Sequence, residues 1–161
     1  MDDARYHRDA QPERRRPVHG IEEFGGKPTI VYDTVCTKDR KLWLACDEVH
    51  ELLREVWRDA DAWSMGRYMI MPDHIHFFST PGKLTVSYGN WVKYWKSLFS
   101  KRHGNNQRRW QSGNWDVRMR TVEQYEEKWE YVRHNPVRHE HVATRDAWPY
   151  QGEIHRIRWE E

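Results

Sequence analysis

The sequence has only two cysteines and no long apolar run. Cys36 and Cys46 belong to no Cys-x-x-Cys or Cys/His spacing, which argues against a zinc site and predicts two reduced core thiols. No run of about 18 apolar residues occurs, and the polar N-terminus has no apolar segment of signal-peptide length. We therefore expect no membrane association and a cytoplasmic location.

The chain also lacks a net charge of either sign, because 27 Lys and Arg stand against 25 Asp and Glu, a formal charge of +2. An interaction with nucleic acid must then depend on where the basic side chains lie. The length of 161 residues is typical of a single domain. Residues 1–25 show no hydrophobic period, so we predict a flexible or irregular arm there and one folded domain over residues 26–161.

Hydrophobic periodicity predicts alternating strands and helices in this domain. The predicted elements are a strand over 29–37, a helix from 47, strands over 66–71 and 74–80, a helix over 85–102, a strand over 115–119, and a helix that Thr121 caps and that ends before Pro136. Pro72 and Asp73 supply the turn of a hairpin between the second and third strands. This order predicts an α+β sandwich of β-α-β-β-α-β type, with helices packed mainly on one face of an antiparallel sheet.

Although the net charge of the whole chain is near zero, the stretch from Lys93 to Arg120 is strongly basic. It holds eight Lys or Arg and one Asp, interleaved with aromatic residues. This combination is typical of surfaces that contact phosphates and stack on bases, although an ordinary solvated face has a similar composition. The candidate DNA-binding residues are Lys93, Lys96, Arg108, Arg109, Trp110, Arg118 and Arg120.

Two histidines lie one residue apart in the segment "IMPDHIHFF". Because side chains alternate along a strand, His74 and His76 project to one face while Ile75 and Phe77 project to the other. Two imidazoles on one face are half of a metal site, and two structural histidines without a ligand are the alternative. The two histidines alone do not distinguish a metal site from a structural pair.

The apolar stripe of the last predicted helix, which should face the core, consists of Val122, Tyr125, Trp129 and Val132. Tyr131 points about 140° away from the centre of this stripe. Gln124, Lys128 and Asn135 lie on the same side as Tyr131. A solvent-facing helix side would also be polar. A tyrosine beside a cation can, however, attack a DNA phosphodiester covalently, and imidazole with amide oxygen suits Mg²⁺ or Mn²⁺.

Two segments together resemble a known family over residues 28–152. "YMIMPDHIHFF" resembles the His-hydrophobic-His motif of the HUH single-strand nucleases. "WQSGNWDVRMRTVEQYEEKWEYVRHNPVRHEHVATRDAWPY" resembles the stretch that carries the catalytic tyrosine of REP-associated tyrosine transposases. The resemblance implies a ferredoxin-like fold in which His74, His76 and Asn135 hold a divalent metal and Tyr131 is the nucleophile.

The resemblance also implies a substrate and a product. The family cleaves single-stranded DNA near hairpins of repetitive extragenic palindromes, leaving a 5′-phosphotyrosine and a free 3′-OH. It implies a monomer, although some members of the wider superfamily assemble their sites from two chains. Two alternatives share the fold: a non-catalytic nucleic-acid-binding module and a domesticated transposase with a regulatory role. Binding modules carry aromatic residues on the central strands, where this chain has His74 and His76.

The sequence departs from the family pattern at two places. Asp73 stands where many relatives have Asn, and "HEHV" (His139 to Val142) stands where a Gly-containing "AGLV" is common. We expect neither change to touch the proposed ligands, although Glu140 and the extra histidines should alter the end of the helix. His134, next to Asn135, is a competing candidate for the third ligand.

Overall fold

The computed structural model describes residues 29–83 and 85–157, which form one sheet with helices on both faces. The predicted N-terminal arm, residues 1–25, lies outside these described residues. The elements are β1 (Ile30–Cys36), α1 (Asp47–Asp59), β2 (Trp63–Ile70), β3 (His74–Pro81), α2 (Tyr88–His103), β4 (Trp115–Met119), α3 (Val122–Arg133), α4 (Asn135–Arg138) and β5 (Gln151–Glu153).

The sheet has the strand order β4-β1-β3-β2-β5, and all four pairings are antiparallel. The first four strands with α1 and α2 make the predicted β-α-β-β-α-β unit, so the α+β, ferredoxin-like expectation is confirmed. β2 and β3 form the predicted hairpin, with Ile70 opposite Ile75. The edge strand β5 was not predicted, because three residues are too few to show an alternating pattern.

The two faces of the sheet carry different helices. Ile75 and Phe77 of β3 lie in one hydrophobic core with residues of α1 and α2. Tyr32 of β1 and Phe78 of β3 lie in a second core with Trp129 of α3. Two of the three long helices thus share one face, as predicted, and α3 covers the face to which His74 and His76 project.

The ends of α2 and α3 follow from their capping residues. α2 begins at Tyr88, later than predicted, because the side chain of Ser87 accepts a hydrogen bond from the Asn90 amide. Thr121 caps α3 as predicted, since its hydroxyl accepts from the Gln124 amide at 3.1 Å. α3 ends at Arg133, so Asn135 opens the short helix α4 instead of lying on α3 itself.

Among the helices in the described part of the chain, none has both the length and the apolar character that crossing a bilayer requires.

Candidate active site

His74 and His76 form a buried pair at the start of β3, with exposed fractions of 0% and 2%. Their Nε2 atoms face each other at 3.1 Å, and the two rings are nearly perpendicular. The strand alternation places both side chains on the α3 face of the sheet. The predicted common direction of the two imidazoles is therefore confirmed.

The opposite edge of each imidazole is held by a different partner. Nδ1 of His74 lies 2.7 Å from Oδ1 of Asp73, in the turn before β3. Nδ1 of His76 lies 2.7 Å from the Tyr32 hydroxyl and 3.0 Å from the Thr34 hydroxyl. Because each Nδ1 has a partner, the two Nε2 atoms are turned toward a common point.

The protein environment keeps both imidazoles neutral at neutral pH. Burial lowers the pKa of His74, although the Asp73 carboxylate opposes this shift. Burial also lowers the pKa of His76 well below its ordinary value, and the neighbouring His74 ring and the charges of Lys128 and Arg138 add to the effect. A neutral imidazole has a lone pair that a metal ion can accept.

The spacing of the pair fits a single divalent cation. Two nitrogens that bind one ion at about 2.1 Å and at a right angle are about 3.0 Å apart. The observed Nε2–Nε2 distance is 3.1 Å. Within residues 29–83 and 85–157, no three His, Cys, Asp or Glu side chains converge on one point that could hold an ion. A third protein ligand here would thus have to be another kind of group, such as an amide.

Asn135 is the predicted amide, and it is completely buried. Its Oδ1 accepts a hydrogen bond from Nη2 of Arg138. Its Nδ2 is also buried and has no hydrogen-bond partner in the described structure. An amide oxygen has two lone pairs, so Oδ1 can accept from Arg138 and keep a lone pair for a cation, whereas the Nδ2 amino group only donates. The donor set of two imidazoles and one amide therefore fits a divalent cation.

Tyr131 lies on the exposed side of α3 between two cationic side chains. Its side chain is 46% exposed, which confirms that it is not part of the core. The guanidinium of Arg138 lies 3.9 Å from the centre of its ring, and Nζ of Lys128 lies 5.9 Å from it. Arg138 also donates to the Tyr131 carbonyl at 2.7 Å. One arginine thus holds both the phenol ring and the Asn135 amide.

A short chain of contacts joins the tyrosine side of α3 to the histidine pair. Nζ of Lys128 lies 5.1 Å from the centre of the Tyr32 ring. The hydroxyl of Tyr32 is the 2.7 Å partner of His76. Because Lys128 and Arg138 both depress the pKa of His76, the cations beside Tyr131 lie within electrostatic reach of the pair.

A groove of about 410 Å³ opens beside Tyr131, between the edge strand β4 and α3. Two of the predicted DNA-binding residues line it, Arg118 on β4 and Arg120 directly after this strand. The remaining lining residues come from β4 and from the polar side of α3, and they are Val117, Met119, Gln124, Glu127 and Lys128. The groove therefore combines positive charge with a partly apolar floor.

The other predicted DNA-binding residues lie elsewhere. Lys93 is exposed on α2, which covers the sheet face opposite the histidine pair. Arg108 and Arg109 lie in the loop after α2, where Arg109 Nε donates to the Asn106 carbonyl at 2.9 Å. The basic stretch predicted from the sequence is thus divided between the groove beside Tyr131 and a second region formed by α2 and its following loop.

Two members of that stretch have structural partners. Trp110 is a predicted DNA-binding residue, and its ring packs on the core, 5.2 Å from the Trp43 ring and 5.4 Å from both the Trp95 and Phe99 rings. Nζ of Lys96 donates to the Gln111 and Gly113 carbonyls, at 3.1 and 2.8 Å. The ring of Trp110 is thus partly buried against the core at the end of this loop, and its contact with a base stays a prediction.

Sequence reasoning also missed several side chains around the site. Asp73 was read as a turn residue that does not touch a ligand, which is wrong because it contacts His74 directly. Arg138 was not singled out, although its position seven residues after Tyr131 on consecutive helical turns was a usable signal. The competing candidate His134 is half-exposed and lies 4.0 Å from Glu130.

Comparison with solved structures shows that the chain has a known fold. A REP-associated tyrosine transposase bound to a REP hairpin superposes with a TM-score of 0.69 and 18% identity, over 94% of this chain and 97% of that chain. The chain has the fold of that transposase. A presumed transposase from Deinococcus radiodurans R1 aligns over 73% of this chain and 95% of that chain, with 17% identity and a TM-score of 0.49. No protein-family model and no curated protein sequence matches the chain.

Proposed function

We propose that the protein is a metal-dependent HUH tyrosine transposase that cleaves and rejoins single-stranded DNA at or near hairpins. The observation that carries the proposal is the buried pair of Nε2 atoms, 3.1 Å apart, on the sheet face that α3 covers with Tyr131 on its exposed side. Each Nδ1 is held by an oxygen partner, so both Nε2 atoms can bind one ion in place of the hydrogen bond between them. The fold shared with a transposase that was solved with a REP hairpin supports hairpin DNA as the substrate class.

The proposed reaction is a reversible transfer of a phosphodiester to Tyr131. The phenol oxygen attacks the phosphorus atom and loses its proton, the bond from phosphorus to the 3′ oxygen breaks, and that oxygen takes up a proton. The products are a 5′-phosphotyrosine and a free 3′-OH. Because the phosphodiester is retained in the covalent intermediate, a 3′-OH can attack it in the reverse direction and rejoin the strand.

Arg138 and Lys128 are suited to the negative charge of this reaction. Both cations flank the Tyr131 ring, so a phosphate that reaches the phenol oxygen meets positive charge on two sides. Arg138 also donates to the Tyr131 backbone carbonyl, and this hydrogen bond holds its guanidinium over the ring. These contacts hold the nucleophile in place before DNA arrives, which lowers the entropic cost of reaching the reactive geometry.

His74, His76 and Asn135 would hold Mg²⁺ or Mn²⁺. Such an ion supplies Lewis-acid stabilisation of charge on the phosphate oxygens when it is bound. The protein side of the site is already arranged for it, because both imidazoles are neutral and their outer nitrogens are hydrogen-bonded.

The groove between β4 and α3 is the proposed path of the unpaired strand. Arg118, Arg120 and Lys128 supply cationic contacts along it, next to Tyr131. The groove, of about 410 Å³, opens at the surface beside Tyr131, where an unpaired strand can reach the phenol. We expect the protein to act as a monomer in the cytoplasm, where its DNA would be found.

Covalent capture of labelled hairpin DNA tests the proposal. The protein is incubated in Mn²⁺ with a single-stranded oligonucleotide that contains a REP-like hairpin, and the products are separated by denaturing electrophoresis. We expect a protein–DNA band that Tyr131→Phe abolishes. Tyr94→Phe is the matched control, because Tyr94 is another exposed tyrosine, 56% accessible, on the opposite face of the sheet.

The outcomes separate catalysis from simple binding. An adduct that persists in Tyr131→Phe would exclude this residue as the nucleophile. Binding of the hairpin without any adduct in the wild-type protein would favour the non-catalytic binding module. Loss of Mn²⁺ binding in His74→Ala and in His76→Ala, measured by calorimetry on folded protein, is expected if the pair is a metal site.

A further inference from the structure

Arg40, Asp73 and His74 form a continuous polar chain that leads from the surface to the histidine pair. Nε of Arg40 donates to Oδ2 of Asp73 at 2.9 Å. Oδ1 of the same carboxylate lies 2.7 Å from Nδ1 of His74. The exposed fractions of the side chains fall along the chain, from 21% for Arg40 to 7% for Asp73 and 0% for His74.

The backbone that presents Arg40 is strained. Asp39 and Arg40 both have left-handed φ values, 57° and 55°. This conformation costs roughly 1 kcal/mol or more for each residue other than glycine. The turn is nevertheless tied to the β2–β3 hairpin, since the Thr37 amide donates to the Asp73 carbonyl at 3.0 Å. The strain therefore accompanies a backbone arrangement that brings the guanidinium onto the Asp73 carboxylate.

The carboxylate determines which nitrogen of His74 carries the proton. A carboxylate only accepts hydrogen bonds, so the proton of neutral His74 lies on Nδ1 and the lone pair lies on Nε2. This is the nitrogen that faces His76. An asparagine at position 73 could still accept from Nδ1, but its amino group could not accept from Arg40. The aspartate and the arginine thus belong together.

We propose that Asp73 and Arg40 are positioning residues that orient His74 and strengthen divalent-metal binding at the His74/His76 pair. This inference depends on the metal site of the proposed function. Carboxylates that accept from the outer nitrogen of a metal-bound histidine typically contribute 10- to 100-fold to metal affinity. Arg40 acts one step further out, by holding the carboxylate in the orientation that His74 requires. The competing possibility is that Arg40 and Asp73 only fasten the turn after β1 to the hairpin.

Calorimetric titration with Mn²⁺ alone, in the absence of DNA, distinguishes the two roles. The variants are Asp73→Asn, Arg40→Gln and their combination, with His74→Ala as the reference for a lost ligand. Arg102→Gln is the matched control, because Arg102 also forms ion pairs, with Glu55 and Asp59, and is far from the site in the fold. The melting temperature of each metal-free variant is measured in parallel.

We expect Asp73→Asn to weaken Mn²⁺ binding by about 10-fold or more. Arg40→Gln should weaken it less, and the double variant should match Asp73→Asn, because Arg40 acts only through the carboxylate. Arg102→Gln should bind Mn²⁺ like the wild type. If Asp73→Asn does not fold, Arg40→Gln alone still tests the inference, and Arg40→Lys should restore part of the affinity.

Two results would overturn the inference, and they differ from each other. If the wild type binds Mn²⁺, His74→Ala abolishes binding, and both Asp73→Asn and Arg40→Gln keep full affinity with lower melting temperatures, the two residues only fasten the turn. The proposed function survives that result. If the wild type itself does not bind Mn²⁺, both the positioning role and the metal part of the proposed function fail.

Discussion

The strongest test of the DNA path is to remove charge separately from the two sides of the sheet. Arg120 and Lys128 line the groove beside Tyr131, whereas Lys93 and Lys101 are exposed on α2, over the opposite face. The variant Arg120→Gln/Lys128→Gln and the variant Lys93→Gln/Lys101→Gln each lose two positive charges. Any difference between them therefore reports the position of the charges and not their number.

The expected size follows from counterion release. Each phosphate contact with a single strand contributes about 0.7 to the slope of log K against log salt. If both groove cations contact phosphates, the slope should become shallower by about 1.4, which corresponds to a roughly 25-fold loss of affinity at about 0.1 M salt. The α2 variant should keep the wild-type slope and affinity.

Fluorescence anisotropy with a labelled hairpin that carries a single-stranded tail, over about 0.05 to 0.3 M salt, measures both quantities. Wild-type slope and affinity in the groove variant would refute the proposed path. A loss confined to the Lys93→Gln/Lys101→Gln variant would place the DNA on α2, as the sequence prediction for Lys93 allows. Circular dichroism confirms beforehand that both variants are folded.

Three further predictions follow from side chains outside the groove. Burial, opposed by hydrogen bonds such as that from Tyr88 and reinforced by the charge of Asp116, raises the pKa of Asp33 to about 7. Because the folded-state pKa is the higher one, stability should fall as the pH rises from about 4 to about 7, by up to about 4 kcal/mol. Urea denaturation at pH 5 and pH 8 should show that the free energy of unfolding depends less on pH in Asp33→Asn than in the wild type. An unchanged pH dependence in the variant would contradict the raised pKa of Asp33. Trp110→Ala should lower the free energy of unfolding by about 3 kcal/mol, because its ring packs on the core, while hairpin affinity of the folded protein stays unchanged. Lost affinity without lost stability would instead support the base-stacking role predicted from the sequence. Glu140 has a φ of 60°, so Glu140→Gly should raise stability by about 1 kcal/mol in thermal denaturation, and a lower melting temperature would show that its side chain contributes more than the strain costs.

Local periodicity was enough to predict most of the elements and two of the decisive orientations. The alternation of side chains along β3 placed His74 and His76 on one face, and the helical period placed Tyr131 outside the core of α3. Thr121 was recognisable as the cap of α3, because a threonine before an amphipathic run satisfies the first amides of a helix. These properties depend only on the backbone geometry of one element, so residues close in sequence carry the information.

The departure from the family pattern at Glu140 could have been used to predict the backbone conformation there. Glu140 stands where a glycine is common, and it has a left-handed conformation that glycine adopts without steric cost. The glycine of the resembling sequences was thus a signal for the backbone turn after α4.

Contacts between distant segments were decided only by the tertiary structure. Asp73 meets Arg40 across 33 residues of chain, and Trp110 turns from a loop onto the core beside Trp43. The basic stretch was continuous in sequence, but β4 and α2 lie on different parts of the molecule, and its charges separate with them. Periodicity gives the direction of a side chain relative to its own element, whereas the partner that it meets depends on how sheet, helices and loops pack together.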